Sequence, residues 1–230
     1  MYLLRHIPRR IPLFRTERLQ SGGISAANIR IKPESRAENQ KEREENMAID
    51  KKTFLKTVTI LHDTREQKNA HIIEALDKLG VKHEERKLDY GDYSFTAEGR
   101  DFSMSCVVER KANVDEIYNN VTSDRGRIEK ELYSAAQLAK QLTLFIEGVG
   151  SWEALRAYHV PEWQMKASPQ RVKTDIGAMV YSTLKAWQTG SRYHFDVQFI
   201  EDKRQTAARM LEVFYYYWRS YKEMTAARKE

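Results

Sequence analysis

Residues 106–111 read Cys-Val-Val-Glu-Arg-Lys, an apolar run that ends in three charged side chains. The apolar half is typical of a buried β-strand, and side chains alternate between the two faces of a strand. Glu109 and Lys111 are therefore expected on one face, with Arg110 on the other. Taken alone, such a triplet is either the solvated edge of a sheet or part of a catalytic site.

A second carboxylate lies upstream, in Gly91-Asp92-Tyr93, and strand-like sequence separates it from Glu109. Cutting a phosphodiester requires a divalent cation that neutralises the phosphate and lowers the pKa of a water molecule. Mg²⁺ takes oxygen ligands from one or two carboxylates. Asp92 and Glu109 are thus candidate ligands of Mg²⁺ or Mn²⁺, and the stretch predicts a metal-dependent nuclease.

The chain alternates strand-like and helix-like segments from Thr57 onward, which predicts an α/β domain. The predicted strands are 58–61, 81–88, 93–95, 102–108, 142–146 and 193–200. The predicted helices are 70–79, 114–121, 127–141, 169–187 and 205–221. Residues 96–101 would join a hairpin that carries the candidate site, with Gly99 at its turn.

Composition and charge narrow the class of protein. The 230 residues are 41% hydrophobic, which suffices for one medium domain with a real core. The net charge of +6 suggests an anionic partner, but residues 1–46 hold ten Lys or Arg against six Glu, so only +2 remains for the rest. Any DNA-binding surface must therefore be local.

Cysteine usage and hydropathy indicate an intracellular, soluble protein. The single Cys106 cannot form an internal disulfide and is expected to be a small buried hydrophobe in a reducing compartment. No stretch approaches the 18 or so apolar residues of a membrane span. We expect a cytoplasmic protein, nucleoid-associated if bacterial, with no membrane contact and no organic cofactor.

Three motifs in order carry a family resemblance: Asp63-Thr64-Arg65-Glu66, Leu88-Asp89-Tyr90-Gly91-Asp92-Tyr93 and Val108-Glu109-Arg110-Lys111, with Asp115 four residues later. They resemble the excision-repair cross-complementation group 4 nuclease domain of the xeroderma pigmentosum group F (XPF) type endonucleases and their archaeal and phage relatives. The resemblance extends from Thr57 to Trp218. It implies a restriction-endonuclease-like core, in which a central mixed sheet of about six strands is flanked by helices.

The resemblance also implies roles for the acidic and basic residues of the motifs. Asp92 and Glu109 resemble the metal ligands, and the backbone carbonyl of Arg110 would be a third oxygen ligand. Asp63 matches an additional essential acid, either a direct ligand or a residue behind the ligands. Lys111 would orient the attacking water or stabilise the charge that develops on the phosphate.

Four further residues complete the implied site. Arg65 and Glu66 either brace the catalytic residues or form only a salt bridge, and Arg65 could instead contact a phosphate. Asp115 would begin the next helix, where a negative charge is favourable. Arg127 is a candidate phosphate contact. The chain departs from the family pattern at Glu116, where an apolar residue is usual, and at Glu131, where a glutamine is common.

The domain boundaries follow from the same motifs. We predict a disordered extension at 1–46, a linker at 47–56, the XPF-type nuclease domain at 57–224 and a tail at 225–230. Two origins of the extension remain open: translation that begins at Met47, or an organelle transit peptide over residues 1 to about 30.

The aromatic run 214–218 suggests both a core and an interface. At helical spacing, one apolar face holds Met210 or Leu211, Phe214, Tyr217 or Trp218, and Tyr221, which predicts a core helix. Tyr215 and Tyr216 are expected to point elsewhere, either as ordinary exposed tyrosines or as a dimer surface. Because nuclease domains of the family pair, we predict a homodimer.

Together these features predict a Mg²⁺- or Mn²⁺-dependent DNA endonuclease that cuts forks, flaps or branched DNA in DNA repair or recombination. The alternative is a catalytically weak DNA-binding subunit, or a partner of another nuclease. A third possibility is a protein that acts through contacts of its aromatic helix.

Overall fold

The computed structural model describes Lys41, Met47 and residues 50–160, 175–189 and 193–228. The extension predicted at 1–46, apart from Lys41, lies outside the described residues, as do residues 161–174 and the end of the predicted tail. The described residues from Met47 onward belong to one compact unit.

Seven strands and seven helices are described. The strands are β1 (Thr59–His62), β2 (Lys82–Glu85), β3 (Tyr93–Ala97), β4 (Arg100–Asp101), β5 (Cys106–Lys111), β6 (Gln141–Glu147) and β7 (Asp196–Ile200). The helices are α1 (residues 50–57), α2 (Ala70–Lys78), α3 (Val114–Val121), α4 (Arg125–Leu138), α5 (Trp152–Arg156), α6 (Ile176–Thr189) and α7 (Thr206–Ala226), with a 3-10 turn at Lys203–Gln205 before α7.

All seven strands form one mixed sheet. Its order is β2-β1-β3-β5-β6-β7, and β4 pairs with β3 beside this path. The β1–β2, β5–β6 and β6–β7 pairs are parallel, whereas β3 runs antiparallel to β1, β4 and β5. The predicted mixed α/β fold, with about six strands flanked by helices, is confirmed.

Two hydrophobic cores cover the two faces of the sheet. Helices α1, α2 and α7 pack on one face around Phe95, which stacks on Phe102 and Phe214 with ring centroids 4.6 and 4.8 Å apart. Helices α3 to α6 pack on the other face, against Val107 and Leu144. Both faces of β5 are therefore buried, and at its charged end only Glu109 is partly exposed. Within the described residues, no helix has the length and apolar character that crossing a bilayer requires.

We predicted a linker at 47–56, but the described residues 50–56 belong to a packed helix. Residues 50–57 form α1, and Phe54 is fully buried against Phe95, Tyr215 and Trp218. Because α1 covers it, Tyr215 is buried, and its hydroxyl donates to the backbone oxygen of Met47 at 3.2 Å. Tyr216, in contrast, is exposed as predicted.

The predicted hairpin is split into three strands. The tight turn lies at Glu98 and Gly99, with φ of 50° and 73°, and it joins β3 to the two-residue β4. A second turn at 102–105 then leads into β5. The strand predicted at 81–88 is also shorter than expected, because β2 ends at Glu85.

Candidate active site

The charged end of β5 divides its side chains between the two faces of the sheet. Glu109 and Lys111 lie on one face, where Nζ of Lys111 is 2.7 Å from Oε1 of Glu109. Burial opposes the charge of Lys111, but the carboxylates of Glu109 and Asp92 outweigh it and raise the pKa of the lysine. Lys111 is therefore a cation at neutral pH, held beside two acids.

Asp92 is fixed to β5 by two backbone hydrogen bonds. Its own N–H donates to the carbonyl oxygen of Val108 at 2.8 Å, and the N–H of Arg110 donates to its Oδ2 at 2.7 Å. The preceding Gly91 makes this approach possible. Its φ is +67°, and a Cβ built on it would lie 3.0 Å from the same Val108 oxygen.

Asp92 and Glu109, the acidic pair of the site, repel each other electrostatically. Burial, followed by the negative charge of Glu109, raises the pKa of Asp92 well above its usual range, and Lys111 offsets this only in part. Two carboxylates that repel each other in one site are a donor set that a divalent cation would neutralise. The residues therefore fit a hard cation such as Mg²⁺.

The protein ligands at this site are few. Among the described residues, no group of three or more His, Cys, Asp or Glu side chains is placed to hold a metal ion. This agrees with Mg²⁺, which is usually bound through one or two carboxylates and keeps several waters or substrate oxygens. A dedicated protein cage is not required for that ion.

Asp63 is the anchor of the loop that carries Asp92. Its Oδ1 accepts from the N–H and Nε of Arg65 at 2.8 and 2.6 Å, and its Oδ2 accepts from the Leu88 N–H at 2.6 Å and Nη2 of Arg65 at 3.1 Å. Burial would raise its pKa, but these hydrogen bonds outweigh burial and lower it. The Asp63 N–H also donates to the Asp92 carbonyl oxygen at 2.8 Å. A role for Asp63 as a metal ligand stays a prediction.

Arg65 and Glu66 do not form the mutual salt bridge that was one of the alternatives for this pair. Arg65 pairs with Asp63, and Glu66 instead accepts from Nη2 of Arg110 at 3.0 Å. Arg65 lies next to the buried Asp63. Glu66 instead contacts the guanidinium of Arg110, whose side chain lies on the face of β5 opposite Glu109.

A buried charge cluster lies behind the candidate catalytic residues. Nη1 of Arg110 donates to Oε2 of Glu147 at 2.8 Å, and Oε1 of Glu147 lies 2.9 Å from Nε2 of His71 and 2.5 Å from Oγ1 of Thr206. Glu147 is only 2% exposed. These contacts hold the β5 backbone from the face opposite Glu109.

Sequence reasoning did not give Glu147, His71 or Thr206 a role. One signal was present, because Arg110 pairs with Phe145 in the β5–β6 register and Glu147, two residues further, lies on the same face. A buried arginine needs an acidic partner, and the acid that ends the neighbouring strand is the natural one.

The site opens into a cleft of about 950 Å³ whose lining includes Asp115 and Arg127. Asp115 lies in the first turn of α3, as predicted, and its Oδ2 accepts from the Tyr158 hydroxyl at 2.6 Å. Arg127 donates to Oε1 of Glu131 at 2.8 Å. The structure therefore brings all the predicted residues to one region, but it engages several of them in internal ion pairs.

Glu116, one departure from the family pattern, has a local structural role. Its Oε2 accepts from the N–H of Ala112 at 2.9 Å, while the side chain of Asn113 caps α3 by accepting from the N–H of Glu116 at 2.9 Å. Glu116 Oε1 also lies 3.7 Å from Nζ of Lys111.

The fold and site together define an α/β domain of nuclease type, with an Asp-Glu-Lys constellation at the end of a central strand. A family model, the ERCC4 domain, matches residues 62–213, which is more than half of the sequence. The chain therefore belongs to the ERCC4 domain family, a family of nucleases, and the resemblance found in the sequence is confirmed.

The solved structures that are similar to this chain include two of XPF from Aeropyrum pernix. XPF from Aeropyrum pernix is 20% identical over 68% of this chain and 59% of its own, with a TM-score of 0.48. XPF from Aeropyrum pernix in complex with DNA is 20% identical over 70% of this chain and 65% of its own, with a TM-score of 0.46. The chain thus spans less than two thirds of either. No curated protein matches it.

Proposed function

We propose that the protein is a Mg²⁺- or Mn²⁺-dependent DNA endonuclease that hydrolyses phosphodiester bonds without a covalent intermediate. One observation carries the proposal: within a nuclease family fold, Asp92, Glu109 and Lys111 lie together at the end of β5 and face an open cleft. The acidic pair suits a cation, and the lysine suits a phosphate.

Each residue of the site has a separate proposed role. Asp92, Glu109 and the backbone carbonyl of Arg110 would hold the ion, which when bound neutralises the scissile phosphate and lowers the pKa of a water molecule. Lys111 places a fixed positive charge where negative charge develops on the phosphate. Asp63 positions the Asp92 loop, and Arg65 braces Asp63 through its guanidinium.

The substrate is proposed to be branched DNA. The Aeropyrum pernix protein that was solved with DNA supports DNA as the polymer. We propose forks, flaps and related structures met in repair or recombination, as the family resemblance implies.

A cleavage panel tests the proposal. Full-length protein is incubated with end-labelled fork, flap, gapped and plain duplex DNA, in Mg²⁺, in Mn²⁺ and in chelator. We expect cutting of at least one branched substrate that needs the metal and that Asp92→Asn and Glu109→Gln abolish. Glu74→Gln, an exposed acid of α2, is the matched control and should cut like the wild type.

Equal cutting by wild type, Asp92→Asn and Glu109→Gln would overturn the enzyme assignment. DNA binding without any metal-dependent cutting would instead support the alternative, a non-catalytic DNA-binding subunit. The intact Asp92, Glu109 and Lys111 favour the enzyme.

We also propose that the protein is a homodimer. An apolar groove of about 530 Å³ lies between α1, the end of α2 and α7, and its lining includes the exposed Leu55, Leu79 and Tyr216. Lys51 and Glu212 line the same groove, so a two-fold arrangement can pair each with its opposite in a second copy. Sedimentation at micromolar concentration should give a dimer that Tyr216→Glu dissociates, whereas Tyr133→Glu, at an exposed tyrosine of α4, should not.

A further inference from the structure

The cleft is not a basic groove, which is unexpected for a protein that binds a polyanion. Seven acidic and six basic residues line it. A strongly positive surface that would attract DNA as a whole is therefore missing from the described lining. Beyond the scissile phosphate, which the proposed site assigns to Lys111, phosphate contacts are expected from individual cations whose charge is not already cancelled by a neighbour.

Four of the six cations are already paired within the protein. Arg65 binds Asp63 at 2.6 Å, and Arg110 binds Glu147 at 2.8 Å. Lys111 binds Glu109 at 2.7 Å, and Arg127 binds Glu131 at 2.8 Å. Each pair is locally close to neutral, so bringing a phosphate to any of these cations also brings it near a carboxylate.

Lys68 and Lys130 are the other two cations of the cleft. Both are exposed, and within the described residues neither forms an ion pair. They belong to different walls, because Lys68 lies in the loop before α2 and Lys130 lies near the middle of α4, close to one turn after Arg127.

The backbone at Lys68 is held in place although its side chain is free to reach outward. Its N–H donates to Oε1 of Glu66 at 3.0 Å, and its carbonyl oxygen accepts from Nη2 of Arg110 at 3.0 Å. Arg110 thus ties this loop directly to β5 and the catalytic end of the strand. The ammonium group of Lys68 is a flexible charge on a fixed backbone, and it lines the same cleft as Asp92 and Glu109.

We propose that Lys68 and Lys130 contact the backbone phosphates of the DNA strand that crosses Asp92 and Glu109. The inference rests on the proposed function, and it adds the contacts that hold the strand. An ammonium binds phosphate as a point charge, without the planar geometry that arginine needs. Arg127 contributes less, because Glu131 stays beside it.

Salt-dependent binding tests this inference. The affinity of the full chain for a fluorescent DNA fork is measured by anisotropy in chelator, at several salt concentrations. Each phosphate contact contributes about 0.7–0.9 to the slope of log affinity against log salt. Lys68→Ala and Lys130→Ala should each lose about that much slope and weaken binding about five- to tenfold near 0.1 M salt.

The matched control is Lys82→Ala, an exposed lysine on the edge strand β2 outside the cleft, which should keep the slope and affinity of the wild type. The inference is overturned if Lys68→Ala and Lys130→Ala behave like this control. In that case metal-dependent cutting by the wild type would still support the proposed nuclease. Slope losses at Lys68 and Lys130 without any cutting would support the strand contacts and contradict the nuclease.

Discussion

Gly91→Ala should destabilise the fold and displace the metal-binding candidate next to it. Gly91 has φ of +67°, a conformation that costs an L-residue about 1–2 kcal/mol. A new Cβ would also lie 3.0 Å from the carbonyl oxygen of Val108 and 3.1 Å from Cβ of Val107. Neither atom can rotate away, because the first is a backbone atom of β5 and the second is the Cβ of a β5 residue.

The size of the effect follows from these two terms. Overpacking against a rigid neighbour costs about 1–3 kcal/mol, so the total loss in free energy of unfolding is about 2–5 kcal/mol. For a domain of this size about 2–4 °C of melting temperature is lost per kcal/mol, so a fall of about 4–20 °C is expected. Relief of the contact would also stretch the 2.8 Å hydrogen bond from the Asp92 N–H to Val108.

Thermal unfolding of Gly91→Ala beside Gly80→Ala isolates the contact. Gly80 has φ of +66° at the end of α2, but nothing lies within 4 Å of a Cβ built there. Gly80→Ala should therefore lose only the free energy that the positive φ costs an L-residue, about 1–2 kcal/mol. Equal losses of melting temperature in the two variants would refute the close-contact reasoning, as would full cleavage activity in a folded Gly91→Ala protein.

Three other substitutions should change the free energy of unfolding, each in a direction that follows from the charges around the residue. Asp92→Asn removes one of two repelling carboxylates, so in chelator it should raise the free energy of unfolding by about 0.5–2 kcal/mol and abolish the rise in melting temperature that Mg²⁺ gives the wild type. Glu147→Gln leaves Arg110 with less compensation and should cost about 3–5 kcal/mol in urea unfolding. Asp63→Asn should cost about 1–3 kcal/mol at pH 7. Because the folded-state pKa of Asp63 is lowered, its contribution is present above the unfolded pKa of about 3.9 and is lost as pH falls through the folded value, so this difference should narrow in acid.

The sequence predicts elements best where local hydrogen bonding and hydrophobic pattern agree. Helix α3 has the predicted bounds 114–121, since Asn113 caps it, acids occupy its first turn, and Val114, Ile117 and Val121 are buried on one face. Strand β2 ends before the predicted residue 88 because the Leu88 N–H donates to a side chain, that of Asp63, instead of to a neighbouring strand. That competition is not visible in a pattern of apolar residues.

One misplaced boundary accounts for two errors. Residues 47–56 precede the first predicted strand, and we predicted a linker there. The helix they contribute, α1, is stabilised by what it covers, with the Phe54 ring centroid 5.7 Å from that of Tyr215. Without that cover, Tyr215 was assigned to the surface. Both the helix α1 and the burial of Tyr215 depend on tertiary contacts, and a local sequence pattern contains no information on such contacts.

The same limit applies to the site. The alternation of Glu109, Arg110 and Lys111 follows from strand geometry, and it places the acid and lysine in contact as predicted. The partners of Arg110 come instead from the loop before α2 and from β6, where Glu147 lies 37 residues away. Glu147 in turn contacts Thr206 of α7, a further 59 residues along the chain. No spacing rule connects residues so far apart.

The two faces of β5 differ in whether their charges are balanced within the protein, and this difference gives a criterion for assigning roles. Arg110 is matched by Glu66 and Glu147, so removal of one partner should lower stability in chelator and in Mg²⁺ alike. On the opposite face Asp92 and Glu109 share one lysine, so removal of Asp92 should stabilise the protein in chelator while eliminating its response to Mg²⁺. Removal of a structural charge and removal of a ligand charge are therefore expected to change the free energy of unfolding in opposite directions in the same experiment. If Asp92→Asn lowered stability in chelator as Glu147→Gln does, the acidic pair would be part of the scaffold, and the proposed metal site would lose its physical basis.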